Sequence, residues 1–206
     1  ISSHELNQTW CYKFVSDTTV TAQFETHKKT LPKQLQNELP LHILAWTTTP
    51  WTLPSNTALT VGPLIEYAVI HTFNRYTHLP IRVLLAKDLV PKVFGKVFQQ
   101  VEAIEDLESY GKNGKNIPYL ITDRILGADL VGIRYKQLWT DAPLPHNNPK
   151  NAFRVIAGDF VTTDDGTGIV HTAPTFGADD AMVAKQATPE VPVSYTHLTL
   201  PTTYEV

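Results

Sequence analysis

The amino-acid sequence predicts a β-rich α+β domain in which a β-barrel or a mixed sheet is accompanied by a few short helices. Short runs of β-branched or large apolar residues recur along the chain. The 206 residues include 15 prolines and 10 glycines, which separate these runs as expected for many short strands. Hydrophobic residues make up 42% of the chain and charged residues 18%, so the chain can bury a substantial core.

Seven segments are predicted as strands because β-branched and large apolar residues are concentrated in them. Their bounds are 42–47, 65–72, 81–86, 97–104, 129–135, 153–161 and 169–172. The last two should form a hairpin, because Asp164-Asp165-Gly166 between them is a strong turn signal. Gly168 beside the final strand indicates a bulge or a close approach of two backbones.

Two segments are predicted as helices. In 87–96 the apolar residues recur at helical spacing, and Pro91 is placed in the first turn, where proline is tolerated. The second helix is 178–186, with Asp179 and Asp180 at its start, where the helix dipole favours negative charge.

Residues 109–118 and 140–151 are predicted as loops. The first contains Gly-Lys-Asn-Gly-Lys, whose glycine spacing and ending do not match a phosphate-binding loop.

Charge and cysteine content narrow the classes of partner. The net charge is −3, whereas a protein that grips a long nucleic acid is usually basic, because phosphate neutralisation supplies most of the affinity. Any nucleic acid is therefore touched over a few nucleotides or held mainly by another part of the molecule.

The single cysteine, Cys11, excludes an internal disulfide and fits a reducing, cytoplasmic location. No apolar run is long enough to span a membrane, so we expect no membrane partner. The missing initiator methionine suggests that the chain starts inside a larger protein.

The segment from Thr47 to Asn56 has the most unusual composition in the chain. It follows an apolar run, and Pro50 and Pro54 prevent regular structure, so several hydroxyls, an indole and an amide lie on an irregular backbone. Such a surface suits a small polar ligand. Composition alone favours the plainer alternative of a strand end whose threonines prefer β structure and turns.

A second candidate segment begins at His171, near the end of the strand 169–172, and continues through a glycine-containing loop to Asp179-Asp180. Strand ends and the loops after them commonly carry binding residues. One carboxylate would then hold an ammonium group as a charge-assisted pair. The alternative is that both aspartates only cap the helix and that His171 is structural. The sequence contains no spacing typical of a metal site, a serine triad or a dinucleotide site, so no metal or cofactor is expected.

Both segments resemble one known family. Trp46-Thr-Thr-Thr-Pro-Trp-Thr-Leu-Pro-Ser-Asn56 is similar to the threonine-rich signature of the isoleucyl-tRNA synthetase editing domain. Gly166-Thr-Gly-Ile-Val-His-Thr-Ala-Pro174, followed by Phe176-Gly-Ala-Asp-Asp180, resembles the other half of the same pocket. Valyl and leucyl relatives usually carry Thr-Thr-Arg-Pro in the first motif and another residue in place of His171.

The resemblance covers residues 1–193 and implies a distorted β-barrel of the valyl, leucyl and isoleucyl editing type, inserted in a longer synthetase. Residues 194–206 continue nothing before them and resemble translated adapter sequence, so we expect a non-native tail that packs poorly. The synthetase signatures His-Ile-Gly-His and Lys-Met-Ser-Lys-Ser are absent, so ATP and Mg²⁺ would belong only to the missing synthetase part.

The implied activity is hydrolysis of valine from mischarged tRNA(Ile), and also of valyl-adenylate, without a metal or other cofactor. Isoleucyl-tRNA synthetases are the standard example of why editing is needed, since one methylene is worth only about 1–3 kcal/mol in a hydrophobic pocket. The partners would be the valine-bearing terminal adenosine of tRNA(Ile) and the rest of the synthetase. A ribose hydroxyl of that adenosine would help to position the water, so no protein base is required.

The resemblance also implies a role for each matching residue. The site would admit valine and exclude isoleucine. Thr48 and Thr49 would orient the ester and the water, and Asp180 would anchor the α-ammonium group. The residues expected to bind or enclose the substrate are Thr47, Trp51, Asn56 and His171, with His171 as the steric wall.

Two alternatives remain at this point. The chain would edit threonine or norvaline if it belonged to a valyl- or leucyl-tRNA synthetase. It would instead be a non-catalytic RNA-binding β-barrel if the fragment were inactive apart from its synthetase.

Overall fold

The computed structural model describes residues 18–111 and 116–194, which form nine strands and several short helices. The strands are β1 (Val20–Glu25), β2 (Leu41–Thr47), β3 (Ala58–Val61), β4 (Glu66–Phe73), β5 (Pro80–Ala86), β6 (Phe98–Gln100), β7 (Ile117–Leu126), β8 (Arg154–Ala157) and β9 (Ile169–Thr172). The α-helices are α1 (Val90–Phe94), α2 (Ile104–Glu108), α3 (Gly127–Leu130) and α4 (Ala178–Gln186). Short 3-10 helices cover Lys28–Thr30, Lys33–Leu35, Pro50–Ser55, Lys87–Leu89, Gly95–Val97 and Pro149–Asn151.

The nine strands form one mixed sheet in the order β6-β7-β4-β5-β2-β9-β3-β8, with β1 paired to β2 outside this path. Strand β1 runs antiparallel along residues 42–47 of β2. The other edge of β2 is divided, because residues 41–43 pair with β5 and Trp46 pairs with Val170 of β9. The β-rich α+β class is confirmed. The sheet is not a closed barrel, since no pairing of described residues joins β6 to β8.

Both faces of the central strands are buried, which explains their nearly continuous apolar sequences. Successive side chains of a strand point to opposite faces, so Ile43 joins the larger apolar cluster and Leu44 a second one. Strand β5 divides in the same way, with Leu84 in the larger cluster and Leu85 in the second. Burial of each such side chain stabilises the fold by about 1.5–3 kcal/mol.

A third, smaller cluster fixes α4 to the sheet. Val183 and Ala184 of the helix pack with Ala58 of β3 and Ile156 of β8, together with Val191. This packing sets where the N-terminus of α4 lies relative to the ends of the strands.

Several predicted elements are confirmed. The strands predicted at 42–47, 65–72 and 81–86 correspond to β2, β4 and β5, and 169–172 is β9. The helix predicted at 178–186 is α4. The helix predicted at 87–96 is present as α1, flanked by one 3-10 turn on each side. The predicted loop 140–151 lacks strands and α-helices and ends in a 3-10 turn.

The predicted hairpin between 153–161 and 169–172 is wrong. Strand β3 lies between the two segments, parallel to β8 and antiparallel to β9. The local turn signal is satisfied, with Gly166 at φ +70°, but both segments that it joins pair with β3 and not with each other.

The strand predicted at 129–135 is also wrong. Its first residues belong to α3, and Tyr135 makes only an isolated bridge to Thr26. The strand predicted at 97–104 is reduced to β6, and Ile104 already begins α2.

Some expectations fall on residues outside the described ranges. These include Cys11, residues 112–115 of the predicted loop and residues 195–206 of the predicted tail. The boundary at 193 therefore stays a prediction. Among the described residues, Ser194 is buried, and its carbonyl accepts a hydrogen bond from Thr175 Oγ1 at 2.6 Å. No helix within 18–111 or 116–194 has the length and apolar content needed to cross a bilayer.

Candidate functional site

A cavity of about 620 Å³ opens where β2 ends, between the threonine-rich segment and the N-terminus of α4. Its wall includes Thr47, Thr48 and Thr49 from the first segment and His171 and Asp180 from the second. The divided edge of β2 explains its position. Strand β5 pairs with the first residues of this edge and β9 with Trp46 near its end, so β5 and β9 diverge from each other near the end of β2.

The end of β5 and the segment before β9 approach each other closely at this point. Ala86 N, at the end of β5, donates to Thr167 O at 2.9 Å. Gly168 follows at φ +69°, and a Cβ there would lie 2.4 Å from Ala86 Cβ. The expectation of a special backbone at Gly168 is therefore confirmed, because only a residue without a side chain fits.

The threonine segment is shaped by its own hydroxyls and by Pro50, which lies in the first turn of the 3-10 helix Pro50–Ser55. Thr49 N donates to Thr47 Oγ1 at 3.0 Å, and the hydroxyls of Thr47 and Thr49 are 3.2 Å apart. Thr52 Oγ1 donates to Thr49 O at 2.8 Å, which closes the turn. The exposed Thr48 hydroxyl bonds to no described residue, so it is free to meet a ligand.

His171 is buried against this segment. Its Nε2 lies 2.9 Å from Thr52 Oγ1, and its Nδ1 lies 2.9 Å from Asn56 Nδ2. Burial lowers the pKa of His171 to about 4, so the ring is neutral at physiological pH. A neutral ring with both nitrogens engaged offers the cavity mainly its carbon edge.

Asp180 lies in the first turn of α4, half-buried, with its carboxylate on the cavity wall. Its Oδ2 accepts a hydrogen bond from Ala173 N at 2.8 Å, and Oδ1 has no hydrogen-bond partner among the described residues. Burial raises the pKa of Asp180, and the neighbouring charge of Asp179 adds to the rise, although the Ala173 N–H opposes it. A carboxylate with this pKa shift and one free oxygen is suited to a cationic ligand.

Trp51 and Asn56 occupy different places relative to the cavity. Trp51 lines it with 53% of its surface exposed, as expected of a residue at the mouth. Asn56 is buried behind the wall and reaches the site only through His171. Six of the seven expected site residues thus line one cavity, and the seventh supports it.

The cavity is larger than one amino-acid side chain. Its volume of about 620 Å³ is within the range of pockets that hold whole small molecules. The total volume by itself therefore does not distinguish amino-acid side chains of similar size.

The sequence reasoning missed several residues that shape this site. Asp164 and Asp165, interpreted only as turn formers, also line the cavity, and Asp165 Oδ1 pairs with Lys92 Nζ at 2.5 Å. Asp164 and Asp180 add negative charge to the cavity, which favours an ammonium group, whereas the charge of Asp165 is offset by Lys92. Tyr135, whose OH lies 2.6 Å from Asn56 Oδ1, was also missed and carried no local signal. Within the described ranges, no group of three or more His, Cys, Asp or Glu side chains could hold a metal ion.

The amino-acid sequence has close relatives among known proteins. It is 53% identical over 188 residues to the isoleucine–tRNA ligase of Bacteroides fragilis and 54% identical over 188 residues to that of Cytophaga hutchinsonii. Each alignment covers 91% of this chain and 16% of the relative, so the chain spans only a small part of those proteins. No protein-family model matches the chain.

The fold has relatives among solved structures. The editing domain of the P. knowlesi cytosolic leucyl-tRNA synthetase matches with a TM-score of 0.60 at 18% identity, over 84% of this chain and 63% of that one. The crystal structure of GlLeuRS-CP1 matches with a TM-score of 0.52 at 17% identity, over 82% and 59% of the two chains. At such low identity these matches show the fold. The chain therefore belongs to the isoleucyl-tRNA synthetase family and is a segment of it with the editing-domain fold.

Proposed function

We propose that this chain is the hydrolytic editing domain of an isoleucyl-tRNA synthetase and removes valine from wrongly charged tRNA(Ile). The observation that carries the proposal is that the threonine segment and Asp180, far apart in the sequence, line the same cavity. The family relationship supports the assignment to isoleucine. Such a domain would act in the cytoplasm as part of the longer synthetase.

The α-ammonium group of the valyl ester would bind Asp180. Its Oδ1 is free to accept, and a bound cation would compensate for the burial that raises the pKa of this carboxyl. Hydrogen bonds to charged groups contribute about 1.5–3 kcal/mol, enough to fix the orientation of the substrate. The valine side chain would then point towards His171.

The ester would lie against Thr48 and Thr49, whose exposed hydroxyls can donate to the carbonyl oxygen. Attack by water on this carbonyl forms a new C–O bond and develops negative charge on the oxygen, which the hydroxyls would stabilise. Collapse breaks the ester bond, releasing valine and restoring the ribose hydroxyl of the terminal adenosine. Valyl-adenylate would be attacked by water at the same carbonyl, and collapse would break the bond to the phosphate oxygen, releasing valine and AMP.

The arrangement argues against both His171 and Asp180 as the general base. His171 is neutral, but its nitrogens are engaged by Thr52 and Asn56. Asp180 would be occupied by the ammonium group. We therefore assign activation of the water to the free hydroxyl of the terminal ribose, which is delivered with the substrate.

Discrimination would arise because isoleucine carries one methylene more than valine at the His171 wall. Forcing an extra methylene into a packed site costs about 1–3 kcal/mol, and this penalty acts in addition to selection in the synthetic site. The remaining volume and the exposed Trp51 at the mouth would accommodate the adenosine.

The test is deacylation of tRNA(Ile) charged with valine or isoleucine, and of threonyl-tRNA(Val) and norvalyl-tRNA(Leu), by the 206-residue chain at low ionic strength. We expect valyl-tRNA(Ile) to be hydrolysed fastest. Faster cleavage of the threonyl or norvalyl substrate would assign the chain to valyl or leucyl editing. Binding of tRNA without hydrolysis at high protein concentration would indicate a non-catalytic fragment.

A further inference from the structure

We propose that Tyr135, a core residue outside the cavity, is a positioning residue that sets the selectivity of the site. It would fix the amide of Asn56 and thereby hold His171 in one tautomer against the substrate side chain. The effect on selectivity rests on the proposed editing function, whereas the positioning of His171 by Tyr135 is independent of that function.

Hydrogen bonds connect the three residues without a gap. Tyr135 OH donates to Asn56 Oδ1 at 2.6 Å. Asn56 Nδ2 donates to Ala58 O at 2.8 Å and lies 2.9 Å from His171 Nδ1. All of these side chains are buried, so water does not compete for their partners.

The chemistry of these groups fixes the direction of each bond. The carbonyl of Ala58 only accepts, so it receives the nitrogen of the Asn56 amide, and the Tyr135 hydroxyl, which donates to the amide oxygen, holds the same orientation from the other side. The second hydrogen of Nδ2 points at His171 Nδ1, which must accept and is therefore unprotonated. A neutral imidazole with a bare Nδ1 carries its proton on Nε2.

The Nε2 proton of His171 extends this series of hydrogen bonds to the cavity side. Nε2–H donates to Thr52 Oγ1 at 2.9 Å, and Thr52 Oγ1 donates in turn to Thr49 O at 2.8 Å. The tautomer of His171 is thus coupled to the turn that holds the threonine segment. Rotation of the Asn56 amide would place its oxygen against Ala58 O and against Nδ1, and both contacts would be repulsive.

The environment of Tyr135 indicates that its hydroxyl matters separately from its ring. The ring packs edge-on against Phe24 and Phe153, with centroid distances of 5.2 and 6.2 Å. A phenylalanine would make the same contacts. The hydroxyl has Asn56 as its hydrogen-bond partner and lies at a fully buried position, where an unsatisfied polar group is costly.

The decisive variant is Tyr135→Phe, with Tyr119→Phe as the matched control. Tyr119 is also buried and also loses a hydroxyl hydrogen bond, to Gln100 Oε1 at 3.3 Å, but it does not line the cavity. In wild-type protein, ¹⁵N NMR of the His171 imidazole should show a protonated Nε2 and a bare Nδ1. Tyr135→Phe should shift these resonances towards a mixture of tautomers, whereas Tyr119→Phe should not.

The activity readout is the ratio of kcat/KM for valyl-tRNA(Ile) to that for isoleucyl-tRNA(Ile). Loss of the Tyr135 hydroxyl should lower this ratio about threefold to tenfold, the range for one hydrogen bond. A second variant, Asn56→Asp, presents only oxygens to Nδ1 and should move the proton of His171 from Nε2 to Nδ1.

Unchanged His171 resonances in Tyr135→Phe would overturn the proposal, whatever the activity. Changed resonances with an unchanged valine-to-isoleucine ratio would overturn the selectivity role. If wild-type chain hydrolyses no aminoacyl-tRNA, the proposed function fails, and the NMR result alone decides whether Tyr135 positions His171.

Discussion

Replacement of Asp180 by asparagine separates the chemistry of the site from the stability of the fold. Asparagine has nearly the same shape, and its Oδ1 can still accept the hydrogen bond that Ala173 N gives to Asp180 at 2.8 Å. The change therefore removes the negative charge and little else. Asp179→Asn is the matched control, because this neighbour in the same helical turn is exposed and does not line the cavity.

The expected loss of activity follows from the ammonium contact. A hydrogen bond to a charged group is worth about 1.5–3 kcal/mol, so kcat/KM for valyl-tRNA(Ile) should fall about 10- to 150-fold in Asp180→Asn. Both variants lose a similar interaction with the helix dipole, about 0.3–1 kcal/mol. Asp179→Asn should therefore retain kcat/KM within about twofold.

Stability should change in the opposite direction. Burial raises the pKa of Asp180 above its ordinary value of 3.8. The folded state thus binds the proton more tightly than the unfolded state, and this contribution to stability, complete below the unfolded pKa, is lost as pH rises through the folded pKa. Asparagine does not ionise, so at neutral pH Asp180→Asn should be at least as stable as Asp179→Asn.

The assay combines deacylation kinetics with urea unfolding of the three proteins at neutral and acidic pH. Wild-type activity in Asp180→Asn, or an equal loss in both variants, would refute the ammonium assignment. A marked loss of stability in Asp180→Asn alone would show that the carboxylate is structural.

Three further predictions concern the wall, the pH profile and the backbone. His171→Ala should enlarge the pocket so that isoleucyl-tRNA(Ile) is also hydrolysed; if isoleucine is still spared, the wall lies elsewhere. The pKa of Asp180 is raised, and that of His171 lies at about 4. On acidification, valyl-tRNA hydrolysis should therefore begin to fall at a pH above 3.8, the ordinary pKa of an aspartate. A decrease in activity centred near pH 6.5, the ordinary pKa of a histidine, would contradict this. Gly168→Ala, which places a Cβ 2.4 Å from Ala86 Cβ, should lower the free energy of unfolding by about 2–4 kcal/mol. Gly132→Ala, with φ +90° and no atom within 4 Å, should lower it by only about 1 kcal/mol, and equal losses in thermal unfolding would argue against the crowding.

Local signals in the sequence predicted some elements well. Strand β9 and helix α4 have the predicted bounds, because a β-branched run and an acidic helix start are properties of adjacent residues. The hairpin after Phe153 was wrong for the opposite reason. Its turn signal is local, whereas pairing is decided by β3, which is distant in the sequence and lies between β8 and β9.

Strand β7 was missed because its composition is ambiguous. It begins at Ile117, within the predicted loop 109–118, and continues through Thr122, Asp123 and Arg124, whose polar side chains suit a partly exposed strand as well as a loop. The strand predicted at 129–135 was wrong because an apolar run of that length does not distinguish a strand from a short helix such as α3.

In the candidate site, too, residues in local motifs could be predicted and residues brought in by distant contacts could not. The motif residues Thr47–Thr49 and Asp180 could be selected from the sequence, and the structure places them on one cavity wall. The support behind that wall could not be selected. Tyr135 lies in a segment with no unusual composition, and its partner Asn56 is 79 residues away in the sequence, so no local pattern connects the two.

A crystal structure of the chain with a non-hydrolysable amide analogue of valyl-adenosine would show whether this cavity is the editing site. We expect the ammonium nitrogen within about 3 Å of Asp180 Oδ1, the valine side chain against His171 and the carbonyl oxygen beside Thr48 and Thr49. An analogue bound outside this cavity, or inside it with its ammonium group directed away from Asp180, would show that the substrate is held elsewhere or in another orientation.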